Sequence, residues 1–272
     1  MSAVPAMSTP VRGLSLPRIV RAEWTKFWSV RSTRWSLLAA TLLTIGFPLL
    51  ASIVIATHWG QRSPSDRAGF NPLDPALIGS QIAQLAIGVL GVMVITTEYS
   101  TGMIRASLTA VPKRLPMLWA KTFVFGVVTF VLMLISVLIA FFASQAILSP
   151  HHASFSWHHP GVARAVIGSI LYLTAVAVFT VGLGTILRNT AGAISAFAAI
   201  FFVLPPLMNV LPASWNDAIT PYLPSVAGSA ILQLTHDRGS NDLAPWTGLG
   251  VFALYAVVAL ALGAIVLKLR DA

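Results

Sequence analysis

Six long apolar stretches with almost no charge inside them constrain this chain more than any other feature. The hydrocarbon core of a bilayer is about 30 Å thick and takes roughly 20 apolar residues of helix to cross. Stretches of that kind run over Trp35–Thr57, Leu77–Thr96, Trp119–Leu148, Val162–Leu187, Ala191–Leu211 and Thr247–Leu267. Lipid offers backbone N–H and C=O groups no partners, so each stretch must satisfy its own as a helix. The expected fold class is an all-α integral membrane protein with six transmembrane helices.

Composition points the same way. Of 272 residues, 56% are hydrophobic and 9% are charged, and the mean hydropathy is +0.82. A soluble domain carries about 25% charged residues. This chain cannot present a charged surface all round, so lipid is expected to cover much of it. With no cysteine, disulfides and thiolate metal sites are excluded. The formal charge of +9 would suggest nucleic acid on a soluble protein. Here its placement makes it membrane-surface charge, and no nucleic-acid partner is expected.

Cytoplasmic loops carry the excess of Lys and Arg. Arg12, Arg18, Arg21, Lys26, Arg31 and Arg34 precede the first span. Arg105, Lys113 and Arg114 lie between spans two and three with Lys121 at the inner end of span three, Arg188 lies between four and five, and Lys268 and Arg270 after six. That side holds 13 bases; the other holds Arg62, Arg67, Arg164 and Arg238. Both termini are therefore expected inside. The polar lead is too long, and the first apolar run too extended, for a cleaved signal peptide. Residues 1–34 read as a start that is disordered over Met1–Pro10, followed by an interfacial helix. Residues 35–272 read as the transmembrane domain.

Two inner elements are not spans. In Arg18–Ser32, Val20, Trp24, Phe27 and Trp28 recur at helical spacing on one face, with Arg18, Arg21, Thr25 and Ser29 opposite. A basic amphipathic helix with Trp on its apolar side lies in the interface plane. Glu23 stands out, because an acid beside an anionic surface needs a base to pair with it. The second element is 98–118. Glu98 closes span two, Gly102 permits a turn, and Ile104, Leu108 and Val111 share a helical face that Pro112 ends. It reads as a short membrane-parallel helix, longer and more apolar than an ordinary anchoring loop. Arg105, seven residues after Glu98, is the base expected to meet Glu98 or a docked partner.

These residues resemble a known family. Glu98-Tyr99-x-x-Gly102-Met103-Ile104-Arg105, with Leu108-Thr109 and Pro112-Lys113-Arg114, is similar to the cytoplasmic coupling region of ABC-2 type transporter permeases. Ala22-Glu23-Trp24-Thr25-Lys26, with Arg31-Ser32, resembles the interfacial helix that opens many bacterial members. The layout of six spans with both ends inside, and a broken outer segment at Pro221–Gly228, is similar too. The resemblance implies a bacterial cytoplasmic-membrane permease, working as a dimer with two copies of a separate ATP-binding subunit docked on the coupling element. ATP and Mg would be held by that subunit, and this chain would bind no cofactor itself. Export of an apolar or amphipathic drug, lipid or peptide is the expected activity.

Independent residues agree that the chain needs an external motor. The central regions of the spans hold no Asp, Glu, Lys or Arg, where an ion-coupled transporter or secondary drug exporter usually has them. The phosphate-cradling loop G-x-x-x-x-G-K-S/T is missing, so this chain is not read as an enzyme. The alternatives are a non-transporting immunity or sensor protein of the same fold, or a secondary drug exporter.

The outer side has three features. The Ser149–Pro160 loop carries His151-His152 and His158-His159, which fit either a metal or pH-sensing site or a headgroup belt beside Phe155 and Trp157. No carboxylate or Cys in that loop completes a metal site, which favours the belt. Pro205-Pro206 must kink span five, as a flexing gate or as a helix end. Ile219–Leu234 is apolar but broken by Pro221, Pro224 and Gly228, so it is expected as re-entrant or interfacial helices buried against protein.

Overall fold

The structure, a computed structural model, describes residues 15–100, 114–234 and 242–269. Among them there is no strand, and six helices are long and apolar enough to cross a membrane. An amphipathic helix α1 (Leu16–Ser29) comes first. The spans follow as α2 (Arg31–Thr57), α3 (Leu73–Ser100), α4 (Arg114–Leu148), α5 (Val162–Leu187), α6 (Thr190–Met208) and α7 (Pro245–Leu269).

The bundle has an inside and an outside. In the apolar window of α5, 67% of the residues are buried within the protein, against 22% for α2 and for α6. Helices α3 and α5 form the centre, with α2, α4, α6 and α7 around them. The outer faces stay apolar: Leu42 and Leu50 on α2, Phe123 and Ile135 on α4, and Leu254 and Val257 on α7 are exposed. Patches of that extent are not sustained in water but suit lipid. The architecture is that of a multi-pass membrane protein.

Small residues set the closest approaches. A Cβ on Gly182 of α5 would lie 2.6 Å from the backbone of Ala259 and Leu260 on α7. The Gly182 and Gly263 pairing thus packs helices within the chain, the usual role of small residues in membrane helices. Aromatic rings fill the wider space beyond. Phe201 of α6 lies 5.7 Å from Phe179 of α5 and 5.8 Å from Phe252 of α7, ring centre to ring centre.

Several boundaries differ from the sequence reading. Val30 is extended (φ −82°, ψ 117°) and ends α1, so Arg31 and Ser32 open α2 rather than closing the interfacial helix. Helix α4 starts at Arg114, so 114–118 is the first turn of a 35-residue span and not part of a membrane-parallel helix. Pro116 is tolerated there because first-turn N–H groups have no intrahelical partner. Helix α6 stops at Met208, short of the expected Leu211. Its middle, Ala199–Val203, is a π-helical turn in which the Leu204 N–H donates to the Ala199 carbonyl. Pro205 and Pro206 follow directly and lack the donors that would close regular α-helical turns onto 201 and 202.

The broken segment before α7 folds as short pieces, Ala213–Ile219, Thr220–Tyr222, Pro224–Ser229 and Ala230–Leu232. Pro221, Leu223, Ala227, Gly228 and Ile231 are buried against the bundle, as expected of such a segment.

Candidate functional site

The ends of α1, α3 and α4 meet around four charged side chains. Glu23 and Lys26 come from α1, Glu98 from the last turn of α3, and Lys121 from the first turns of α4. The Lys121 ammonium donates to Glu23 Oε2 at 2.7 Å and to Glu98 Oε1 at 2.8 Å. Lys26 also pairs with Glu98 and lies 3.6 Å from Glu23. The side chains of Lys121 and Glu98 are 5% and 3% exposed, while that of Lys26 is 27% exposed. Two acids and two bases therefore cancel at a largely buried junction.

Local structure explains how they meet. Ile19, Glu23 and Phe27 recur every four residues and form the buried stripe of α1. Phe27 packs its ring 6.0 Å from Phe125 of α4, one helical turn beyond Lys121. The hydrophobic contact and the ion pairs are thus neighbours along the same helix-helix seam. The sequence pattern had placed the apolar face of α1 on Val20, Trp24, Phe27 and Trp28. The structure shifts it: Trp24 and Trp28 are exposed, and Glu23 takes the central buried position because Lys121 neutralises it.

Burial makes the cluster all-or-none. A buried ion pair roughly balances desolvation against attraction, but removing one partner leaves an uncompensated charge, at about 3–5 kcal/mol. Glu98 Oε2 is buried and accepts no hydrogen bond among the described residues. A recess of about 60 Å³ beside it is lined by the four charged residues with Ser32, Thr33 and Thr97, and otherwise by apolar side chains such as Phe27, Leu90 and Val124; it is large enough to admit water.

A second tie lies at the same end of the bundle. Arg188 follows α5 in a left-handed conformation (φ 53°), and its backbone N–H donates to the Gly184 carbonyl. Its guanidinium sits 5.2 Å from the centre of the Tyr99 ring and donates to the Val266 carbonyl at 3.0 Å. It thereby links α3, α5 and α7.

Of the residues singled out from sequence, Glu23, Lys26 and Glu98 come together, and Tyr99 lies beside them under Arg188. Trp24 is on the exposed side of α1. Gly102, Met103, Ile104, Arg105, Pro112 and Lys113 lie outside the described residues, as do Met1–Pro10, and Arg114 is described only as the first residue of α4. Among the described residues Glu98 pairs with Lys121 and Lys26; Arg105, its expected partner, lies outside them. Pro205 and Pro206 stand at the far end of α6, away from the cluster.

By sequence Lys121 reads only as a topological charge, yet in the structure it joins both acids. A signal was present. Glu23 and Glu98 are the only acids on the base-rich side apart from Asp271 at the tail, and Lys121 is the one base set inside an apolar run there. A charge that enters an apolar helix needs a partner.

At the opposite end, two of the histidines lie against aromatic rings. His159 stacks on Phe155 with centres 4.1 Å apart, and His151 lies 6.2 Å from Trp59. Among the described residues no group of three His, Cys, Asp or Glu side chains converges on a common point. Gln145 joins the outer loops, donating to the Pro72 carbonyl at 3.0 Å and accepting from the Phe155 N–H at 2.7 Å.

No protein-family model matches this chain, and no curated protein matches it. The class defined by fold and site is therefore an all-helical, multi-pass membrane protein with a charge-neutral junction at one end of its bundle.

Proposed function

We propose that this chain is the permease subunit of an ATP-driven transporter of the ABC-2 type, moving an apolar or amphipathic substrate across a bacterial cytoplasmic membrane. One observation carries the reading. The ion cluster ties the amphipathic helix α1 to the two helix ends that enter and leave segment 98–118, the segment similar to the family's coupling region. A separate ATP-binding subunit pressing on that segment would move the end of α3 and the start of α4. The shared lysine would pass the displacement to α1 at the membrane surface. Buried, neutral and well-packed junctions transmit strain because they have few alternative arrangements.

Two further points support it. No Asp, Glu, Lys or Arg occupies the central turns of the six spans, so a proton relay through the membrane lacks its carriers. The sequence also lacks a phosphate-binding loop, so the energy would come from a partner. In this account two copies of the chain and two ATP-binding subunits form the working unit. The test is purification of the tagged full-length chain from native membranes in mild detergent. An ATP-binding subunit should co-purify in equal amount with nucleotide hydrolysis, and the chain alone should hydrolyse none.

A further inference from the structure

Lys26 and Lys121, and the four arginines near the start of the described chain, are sorted by side. Lys26 and Lys121 turn into the bundle and are neutralised by Glu23 and Glu98. Arg18 and Arg21 on α1, and Arg31 and Arg34 on the first turn of α2, are all exposed. Among the described residues none of the four makes an ion pair. Three tryptophans accompany them: Trp24 and Trp28 are exposed on α1, and Trp35 on α2 is 70% exposed. Arg31, Arg34, Trp35 and Leu38 line one open groove.

We infer that this arginine and tryptophan face is a docking surface for anionic phospholipid headgroups, with Arg31 and Arg34 gripping a phosphate above Trp35. Three physical facts lead there. A guanidinium presents a planar fork of donors that matches phosphate oxygens, which an ammonium does not. Trp prefers the headgroup level, where its ring is half in hydrocarbon and its N–H is wet. At 100° per residue, Trp24 and Trp28 fall between the protein-facing stripe of α1 and its arginines, so the rings meet lipid where the cations meet headgroups. The occupant is the charged leaflet itself, because the four exposed cations lie on the interfacial helix α1 and on the first turn of α2, the end of that span that stands at the surface. The lysines, being already neutralised, contribute nothing to this attraction. The inference needs the membrane architecture but not the transporter reading.

The consequence is that anionic lipid holds α1 down. Each arginine near a charged leaflet adds favourable binding that falls off within a Debye length. The full-length protein is reconstituted into nanodiscs of phosphatidylcholine, with or without about one-third phosphatidylglycerol, and amide hydrogen exchange is followed over Leu16–Ser29. Phosphatidylglycerol should slow exchange there by about tenfold or more. High salt should remove most of the effect, and inorganic phosphate added to phosphatidylcholine discs should not reproduce it. The double variant Arg31→Gln/Arg34→Gln should lose most of the protection in phosphatidylglycerol while exchanging like wild type in phosphatidylcholine. These side chains are exposed, so folding survives, and native mass spectrometry gives a second readout in fewer retained phosphatidylglycerol molecules. Equal exchange in the two lipids, or full protection retained by the double variant, overturns the inference.

Discussion

Glu23 and Lys121 stand 98 positions apart in the chain and meet at 2.7 Å, across the seam between α1 and α4. Glu98 takes the same ammonium from the other side at 2.8 Å, so one lysine fastens three helices. Lys121→Met should destabilise the protein by about 3 kcal/mol, because among the described residues two buried acids would then share Lys26 alone. Glu23→Gln should cost less, since Lys121 keeps Glu98. A double-mutant cycle between Glu23→Gln and Lys121→Met should give a coupling of about 1–3 kcal/mol. Equilibrium unfolding in mixed detergent measures all three. A Lys121→Met protein as stable as wild type would show that the cluster is ornamental.

The α5–α7 contact makes a sharper contrast between two glycines. A Cβ on Gly182 would meet the Ala259 and Leu260 backbone at 2.6 Å, whereas one on Gly250 would meet nothing within 4 Å. Gly182→Val should therefore cost at least about 2 kcal/mol or prevent folding, through forced backbone separation. Gly250→Ala should be neutral or slightly stabilising, because alanine favours helix. Melting temperatures of the two variants in one detergent decide the matter. Equal effects would mean that α5 and α7 do not approach as described.

Sidedness follows from the basic bias. Ser29 lies at the end with the ion cluster and Ser156 at the end with the histidines, and both are exposed. A cysteine at Ser156 should be labelled by an impermeant reagent added outside intact cells, and one at Ser29 should be protected until the cells are opened. The native chain has no cysteine to confuse the signal. The reverse pattern would invert the topology and with it the coupling account.

The π-helical turn at Ala199–Val203 precedes Pro205-Pro206 and gives span five a weak point. If the prolines maintain it as a flexing gate, Pro205→Ala/Pro206→Ala should restore regular helical hydrogen bonds. Amide exchange over 199–203 should then slow by about tenfold. Unchanged exchange would assign the turn to packing of Phe197 and Phe201 instead of to the prolines.

The spans were legible in the sequence because lipid leaves a chain only one way to satisfy its backbone, and α5 matches its expected limits at both ends. The α1 stripe was less so. Hydrophobicity alone favours Trp24 and Trp28 over Glu23, and only a partner 98 positions away reverses that order. The hub role of Lys121 was hidden for the same reason: position along a helix is local, while charge pairing is not. The break at Val30 carries no proline or glycine to announce it. The π-turn was foreshadowed by the proline pair, though its placement before the prolines follows from which carbonyls lose their donors.

The most direct test of the central claim is the composition and activity of the complex formed with an ATP-binding partner. The full-length chain, purified from native membranes and weighed by native mass spectrometry, should give a particle of two copies of this chain and two of an ATP-binding subunit. That particle should hydrolyse ATP, and Glu98→Ala should reduce hydrolysis or uncouple it from transport while the four chains stay together. A chain that purifies without any nucleotide-binding partner, or that turns over ATP by itself, would contradict the account.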